Sequence, residues 1–224
     1  NETAASTADA DGDGHMDLFV AGYGSSQVRA LLNDGTGAFT PAGVATTGAN
    51  PWMTATGDID DDGDADVATC NATGDDASVV RGDGAGGLGV ATNLPLGNFC
   101  LAIDLGDLDG DGDLDLVGSS FSDEVWTCWR NDGAGNFSMS MAAQLPPINN
   151  ACRALALGDV DGDGDLDAFF SSAKDAPASL WLNDGNGNFT LSATLGPSNA
   201  NDVAVGDFNN DGFIDVAVTN GAGA

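Results

Sequence analysis

Apolar residues in this chain come in short runs, separated by clusters of Gly, Asn and Asp. Asp17-Leu18-Phe19-Val20, Asp115-Leu116-Val117, Asp167-Ala168-Phe169-Phe170 and Asp215-Val216-Ala217-Val218 are one set. Leu101-Ala102-Ile103, Leu155-Ala156-Leu157 and Val203-Ala204-Val205 are a second. Arg29-Ala30-Leu31-Leu32, Val125-Trp126-Thr127-Cys128-Trp129 and Leu180-Trp181-Leu182 form a third, and Phe39-Thr40, Phe137-Ser138-Met139 and Phe189-Thr190-Leu191 a fourth. Brief apolar or alternating runs bounded by turn residues predict β-strands. No stretch has the 3.6-residue period and the length that an amphipathic helix needs.

The runs recur in a fixed order around an aspartate cluster written D-x-[DN]-x-D-G-x-x-D. Its copies are Asp9, Asp11, Asp13, Asp17; Asp58, Asp60, Asp62, Asp66; Asp107, Asp109, Asp111, Asp115; Asp159, Asp161, Asp163, Asp167; and Asp207, Asn209, Asp211, Asp215. Successive copies start 49, 49, 52 and 48 residues apart. Four of them are followed, 24 residues after their first Asp, by Asn33-Asp34-Gly35, Gly82-Asp83-Gly84, Asn131-Asp132-Gly133 or Asn183-Asp184-Gly185, triplets that favour positive φ and tight hairpins. Each unit therefore has one strand before the acidic loop, one after it and two around the later turn. Four antiparallel strands in about 50 residues make a propeller-type blade. The fold expected is all-β: a tandem array of four-stranded antiparallel blades, β-propeller-like, with about four and a half repeats. Approximate limits are 1–49, 50–98, 99–150, 151–198 and an incomplete 199–224.

The cluster suits a hard cation. Calcium takes six to eight oxygens, mostly from carboxylates and backbone carbonyls. Side chains at places 1, 3 and 5 of a tight loop converge, and glycine at place 6 (Gly14, Gly63, Gly112, Gly164, Gly212) permits the turn. A carbonyl at place 7 can then face the ion, so the side chain there is free to vary, as it does: His15, Asp64, Asp113, Asp165, Phe213. Place 9 is Asp in every copy. About five Ca²⁺ sites are expected, the fifth weakest because Asn209 removes a charge. Mg²⁺ suits a more hydrated octahedron, and Zn²⁺ would want the His and Cys that the side-chain ligand places lack.

Charge supports this. The chain has 35 acidic and 5 basic residues among 224, a net charge of −30, and only Glu2 and Glu124 are glutamates. Nineteen of the acids occupy cluster positions, and five divalent ions would bring the charge to −20. Such a chain repels nucleic acid and anionic membrane surfaces. No apolar run approaches the ~18 residues that span a bilayer. The missing initiator Met at Asn1 reads as a mature or excised segment.

The acidic loops, the glycine before four of them (Gly57, Gly106, Gly158, Gly206) and the N-D-G-x-G-x-F segments resemble FG-GAP/VCBS repeats, the calcium-binding blades of integrin-α-like β-propellers. The resemblance covers nearly the whole chain. It implies four-stranded blades, usually seven, with calcium between neighbouring strands. It also implies an extracellular or cell-surface protein used in adhesion, with protein or glycan partners. Seven blades at this period would need about 350 residues. This chain is therefore read either as a segment of a longer propeller or as a subunit whose half-blade another copy completes, head to tail, into a filament. A carbohydrate-binding propeller and a non-catalytic domain of a larger secreted protein are the alternatives.

Nothing else in the sequence suggests catalysis. His15 is the only histidine and lies inside a loop, so no nucleophile–base pair can be built with it. Trp129 and Trp181 share a repeat place with Leu31 and Val80, which assigns them to the core; Trp52 and Trp126 are the better ligand contacts. Cys70 with Cys100 and Cys128 with Cys152 would staple neighbouring repeats, although three connectivities and free buried thiols all fit. Asn1, Asn71, Asn136 and Asn188 head glycosylation sequons, the last two within the repeat's own turn.

Overall fold

The computed structural model describes residues 2–145, 151–173, 176–195 and 200–220. Among them it has strands and no helix. The first blade is β1 (Glu2–Ala8), β2 (Asp17–Gly22), β3 (Gln27–Asn33) and β4 (Phe39–Thr46). The second is β5 (Pro51–Gly57), β6 (Asp66–Asn71), β7 (Asp76–Val80) and β8 (Thr92–Pro95). The third is β9 (Cys100–Gly106), β10 (Asp115–Ser120), β11 (Val125–Arg130) and β12 (Ser138–Gln144). The fourth is β13 (Leu155–Gly158), β14 (Asp167–Phe170), β15 (Ala178–Asn183) and β16 (Phe189–Leu195), and β17 (Ala200–Gly206) and β18 (Asp215–Asn220) form a two-stranded sheet. Every sheet is an antiparallel meander in chain order. The predicted class is therefore what is seen: four-stranded blades in tandem, propeller-like, with the sheets not closed into a ring.

Successive sheets pack face to face, so the core lies in layers between them. Phe19, Val28 and Ala30 of blade 1 meet Val67 and Val80 of blade 2. Cys70, Val79 and Leu94 of blade 2 meet Ile103, Leu116 and Trp129 of blade 3. Trp126, Cys128 and Val117 of blade 3 meet Phe170, Trp181 and Phe189 of blade 4. The glycines before the second and third acidic loops make room for this stacking. A Cβ on Gly57 would lie 2.4 Å from Leu114 Cδ1 of the next blade, and one on Gly106 2.6 Å from Leu166 Cδ1. First strands of neighbouring blades also touch through hydrogen bonds. Thr3 Oγ1 donates to Pro51 O at 2.7 Å, Thr56 Oγ1 to Thr7 O at 3.1 Å, and Leu157 N to Asp104 Oδ2 at 3.2 Å.

Three expectations are corrected or narrowed. Trp126 is not a ligand contact: it is fully buried, with ring centroids 5.1, 5.2 and 5.3 Å from Phe170, Trp181 and Phe189. The four cysteines are free and buried, not paired. The Asn71 sequon is closed, because its buried amide donates to Asp76 Oδ1 and Ser78 Oγ. Asn136 and Asn188 are exposed, bonded within their turns to Asp132 and Asp184; Asn1 lies outside the described residues. Trp129 and Trp181 are core residues, as their repeat place predicts.

Candidate metal centre

Each acidic loop joins the first strand of a blade to the second. Place 1 organises it. Asp9 accepts from Gly12 N at 2.9 Å and Gly14 N at 2.8 Å, and Asp107 from Gly110 N at 2.8 Å and Gly112 N at 3.1 Å. Asp159 repeats the pattern with Gly162 and Gly164, while Asp58 and Asp207 hold Asp62 with Gly63 and Asp211 with Gly212. Place 5 accepts from the amide of place 7 in every copy: His15, Asp64, Asp113, Asp165 and Phe213 donate to Asp13, Asp62, Asp111, Asp163 and Asp211 at 2.8–3.0 Å. Place 6 glycine has positive φ throughout, from 88° at Gly14 to 98° at Gly164.

These turns gather carboxylates. One oxygen from each of Asp9, Asp11 and Asp13 lies within 4.8 Å of the other two, and the same holds for Asp58, Asp60 and Asp62. In blades 3 and 4 the close groups are Asp107, Asp109, Asp115 and Asp159, Asp161, Asp167. The fifth loop, with Asn209 at place 3, keeps the turn but gathers no such trio among the described residues.

Place 9 has a structural job that spacing does not reveal. Asp17, Asp66, Asp115 and Asp167 are buried, and each clamps two backbone amides. One oxygen accepts from loop place 2 (Ala10, Ile59, Leu108, Val160) and the other from the first residue of the NDG-type turn (Asn33, Gly82, Asn131, Asn183), all at 2.7–3.1 Å. Burial pushes Asp66 and Asp115 up to about 6 and raises Asp167, against the pull of these amides.

Desolvation and neighbouring carboxylates also raise Asp64, Asp113 and Asp165 at place 7, and Asp109 at place 3. The turn aspartates go the other way. Hydrogen bonds from Thr36, Asn136 and Asn188 lower Asp34, Asp132 and Asp184. The turn carboxylates are thus satisfied by their own chain, whereas the loop carboxylates face one another. Asp60 Oδ1 and Asp109 Oδ1 are buried and have no hydrogen-bond partner. An all-oxygen donor set with orphaned carboxylate oxygens fits a hard divalent cation, and it fits Ca²⁺ better than a soft or nitrogen-seeking metal.

Each of the first three loops is stitched to the following blade. The place 2 carbonyl accepts from that blade's turn: Ile59 O from Asn131 Nδ2 at 2.6 Å, and Leu108 O from Asn183 Nδ2 at 2.8 Å. Where the turn begins with Gly82 in place of Asn, Gly86 N serves Ala10 O at 2.9 Å. Two arginines add a second stitch. Arg81 pairs with Asp60 at 2.9 Å and donates to Ala134 O of the next blade; Arg130 pairs with Asp109 at 3.1 Å and donates to Asn186 O. Blades 1 and 4 place Leu32 and Leu182 at this repeat position. Sequence reading missed these residues. Their signal was there, as Leu or Arg just before an Asn- or Gly-led turn.

Comparison with known proteins places this geometry. Curated proteins give no match. Among solved structures, an Agrocybe aegerita lectin that recognises non-reducing terminal N-acetylglucosamine is 22% identical, with a TM-score of 0.56, covering 96% of this chain and 56% of the lectin. A candidate 6-phosphogluconolactonase from Bacteroides uniformis is 16% identical (TM-score 0.68; 88% of this chain, 59% of the other). A Lactobacillus plantarum protein is 15% identical (TM-score 0.69; 97% and 64%). These likenesses are of fold, and the chain spans less than two thirds of each. The FG-GAP-like repeat matches four overlapping segments, 9–69, 58–118, 117–170 and 169–218, whose starts and ends fall on the acidic loops and the strands beside them. The chain belongs to the FG-GAP-like repeat family.

Proposed function

We propose that this is a calcium-stabilised adhesion or assembly module, working outside the cell or at its surface, with a binding role and no catalytic one. The observation that carries the cation reading is the recurrence of one oxygen-lined loop in every blade, with buried carboxylate oxygens at Asp60 and Asp109 that nothing in the protein satisfies. Places 1, 3 and 5, with place 9 and the carbonyl of place 7, would hold the ion. Bound calcium supplies positive charge among like-charged carboxylates and so favours the folded state.

The assembly reading rests on the fifth sheet. Loop place 2 is buried at Ala10, Ile59 and Leu108 by the blade that follows, whereas its equivalent Phe208 is 59% exposed. Phe213 and Val218 are exposed beside it. That surface calls for a neighbour, which further chain or a second copy would supply, the latter head to tail.

Calcium titration, with size-resolved light scattering and thermal melting before and after chelation, tests both parts. The expected result is a rise in melting temperature with calcium and reversal by chelator. Calcium-dependent growth in mass supports assembly, and a monomer at every calcium level removes it. No calcium effect on melting would sink the cation reading.

A further inference from the structure

The first strands β1, β5, β9 and β17 carry a β-bulge at one repeat place, six residues before the acidic loop; β13 pairs without one. Pairing skips from Glu2 to Ala4, from Pro51 to Met53, from Cys100 to Ala102 and from Ala200 to Asp202. The residues left out of the ladder are Thr3, Trp52, Leu101 and Asn201, and Arg153 holds the same place ahead of β13. A bulge leaves one residue out of the ladder, bends the strand locally and re-aims that side chain. The acidic loops, the glycines and the turns repeat closely, but this place holds a different residue in every blade. The scaffold therefore does not dictate its chemistry.

Four of these five residues meet. Trp52, Leu101, Arg153 and Asn201, with Phe99 and Phe121, line a groove of about 520 Å³ at the opposite end of the first strands from the acidic loops. Trp52 is 39% exposed, with Tyr23 edge-on at 6.0 Å. Phe99 and Phe121 meet edge to face at 5.9 Å. Phe99 sits at φ 59°, a left-handed conformation unfavourable for a bulky side chain; Asn50, which tolerates it, occupies that place in blade 2. The Arg153 guanidinium lies 5.6 Å from the Phe121 ring centroid and donates to Asn201 Oδ1 at 3.2 Å, which leaves the Asn201 amide nitrogen as a donor. None of the six lining residues is acidic, in a chain of net charge −30.

We propose that this groove binds an acidic sugar, a uronate-type pyranose of a glycan. Aromatic faces take the apolar face of a sugar ring. The polar groups here are a guanidinium and an amide donor, so the ligand must bring acceptors, and a carboxylate meets a guanidinium with two parallel hydrogen bonds. The inference rests on the adhesion reading and names its ligand, but it does not depend on the cation sites.

The test is titration of the calcium-loaded chain with a glucuronate-terminated disaccharide, its neutral glucose counterpart and a short peptide with a free carboxylate. The expected result is binding of the glucuronate sugar, weakened at least tenfold by Trp52→Ala and by Arg153→Ala, and less by Arg153→Lys. Arg29→Ala, outside the groove, should leave it unchanged. Calcium-dependent melting of every variant, measured in parallel, shows that each is folded and tests the cation reading separately. Equal binding of the neutral sugar, binding of the peptide in place of the sugar, binding indifferent to both alanine variants, or no binding would each overturn the proposal.

Discussion

Asp115 shows how much one side chain does here. It stands at a proposed ligand place yet spends both oxygens on the amides of Leu108 and Asn131. Asp115→Ala leaves two buried donors unpaired, which costs roughly 2–4 kcal/mol, with or without calcium. Asp111→Ala, in an exposed part of the loop, should lower stability in calcium and change little in chelator. Urea denaturation of both variants in both buffers separates the roles. Protonation works at the same scale. Asp66 and Asp115 titrate at about 6 in the fold, above their ordinary 3.8, so the folded state keeps protons that the unfolded chain releases. That contribution is complete below pH ~4 and lost as pH rises through about 6, on the order of 1 kcal/mol per group after solvent screening. The melting temperature of metal-free protein should therefore fall from pH 4 to 6.5, and calcium should offset the fall. A flat profile in chelator would contradict it. Spacing alone picked out these aspartates. Their burial was not legible, because the amide that covers Asp115 comes from Asn131, just beyond β11 and 16 residues away.

Among elements, the strands were readable because each is short, apolar and closed by Gly, Asn or Asp, and the turns because NDG demands positive φ, seen at Gly35, Gly84, Gly133 and Gly185. What joins one blade to the next was hidden, since those partners lie 72 and 75 residues apart. Arg81→Leu probes that join. Leucine already serves this place in blades 1 and 4, so the fold should accept it. Removing the guanidinium leaves Asp60 without its counter-charge. Metal-free stability should drop by about 1 kcal/mol or less, as for a partly exposed ion pair, while calcium affinity at that loop rises several-fold by calorimetry. Unchanged affinity would show that the arginine does not compete with the cation.

Over the whole molecule, the period fixed the number of blades and the order of strands within them, but not what the tryptophans and cysteines do. Trp126 was unreadable because its burial depends on three rings of the following blade. The cysteines were ambiguous because their spacing suited both bridges and a core. As free thiols they are buried, and desolvation pushes Cys70 up to about 12 and Cys128 and Cys152 to about 11. Native protein should thus resist alkylation at neutral pH and take up four equivalents once unfolded, read by mass spectrometry. Rapid labelling in native buffer would contradict that core.

The bonds that cover the place 2 carbonyls of the first three loops all come from the blade that follows. A loop at residue 59 is capped by a side chain at 131, and a loop at 108 by one at 183. During synthesis each of these loops must therefore wait for some seventy further residues before its place 2 carbonyl is covered. On this geometry the array is expected to mature from its N-terminal blade onward, one unit behind the ribosome. An interruption in synthesis would leave the newest loop uncapped and the older ones finished.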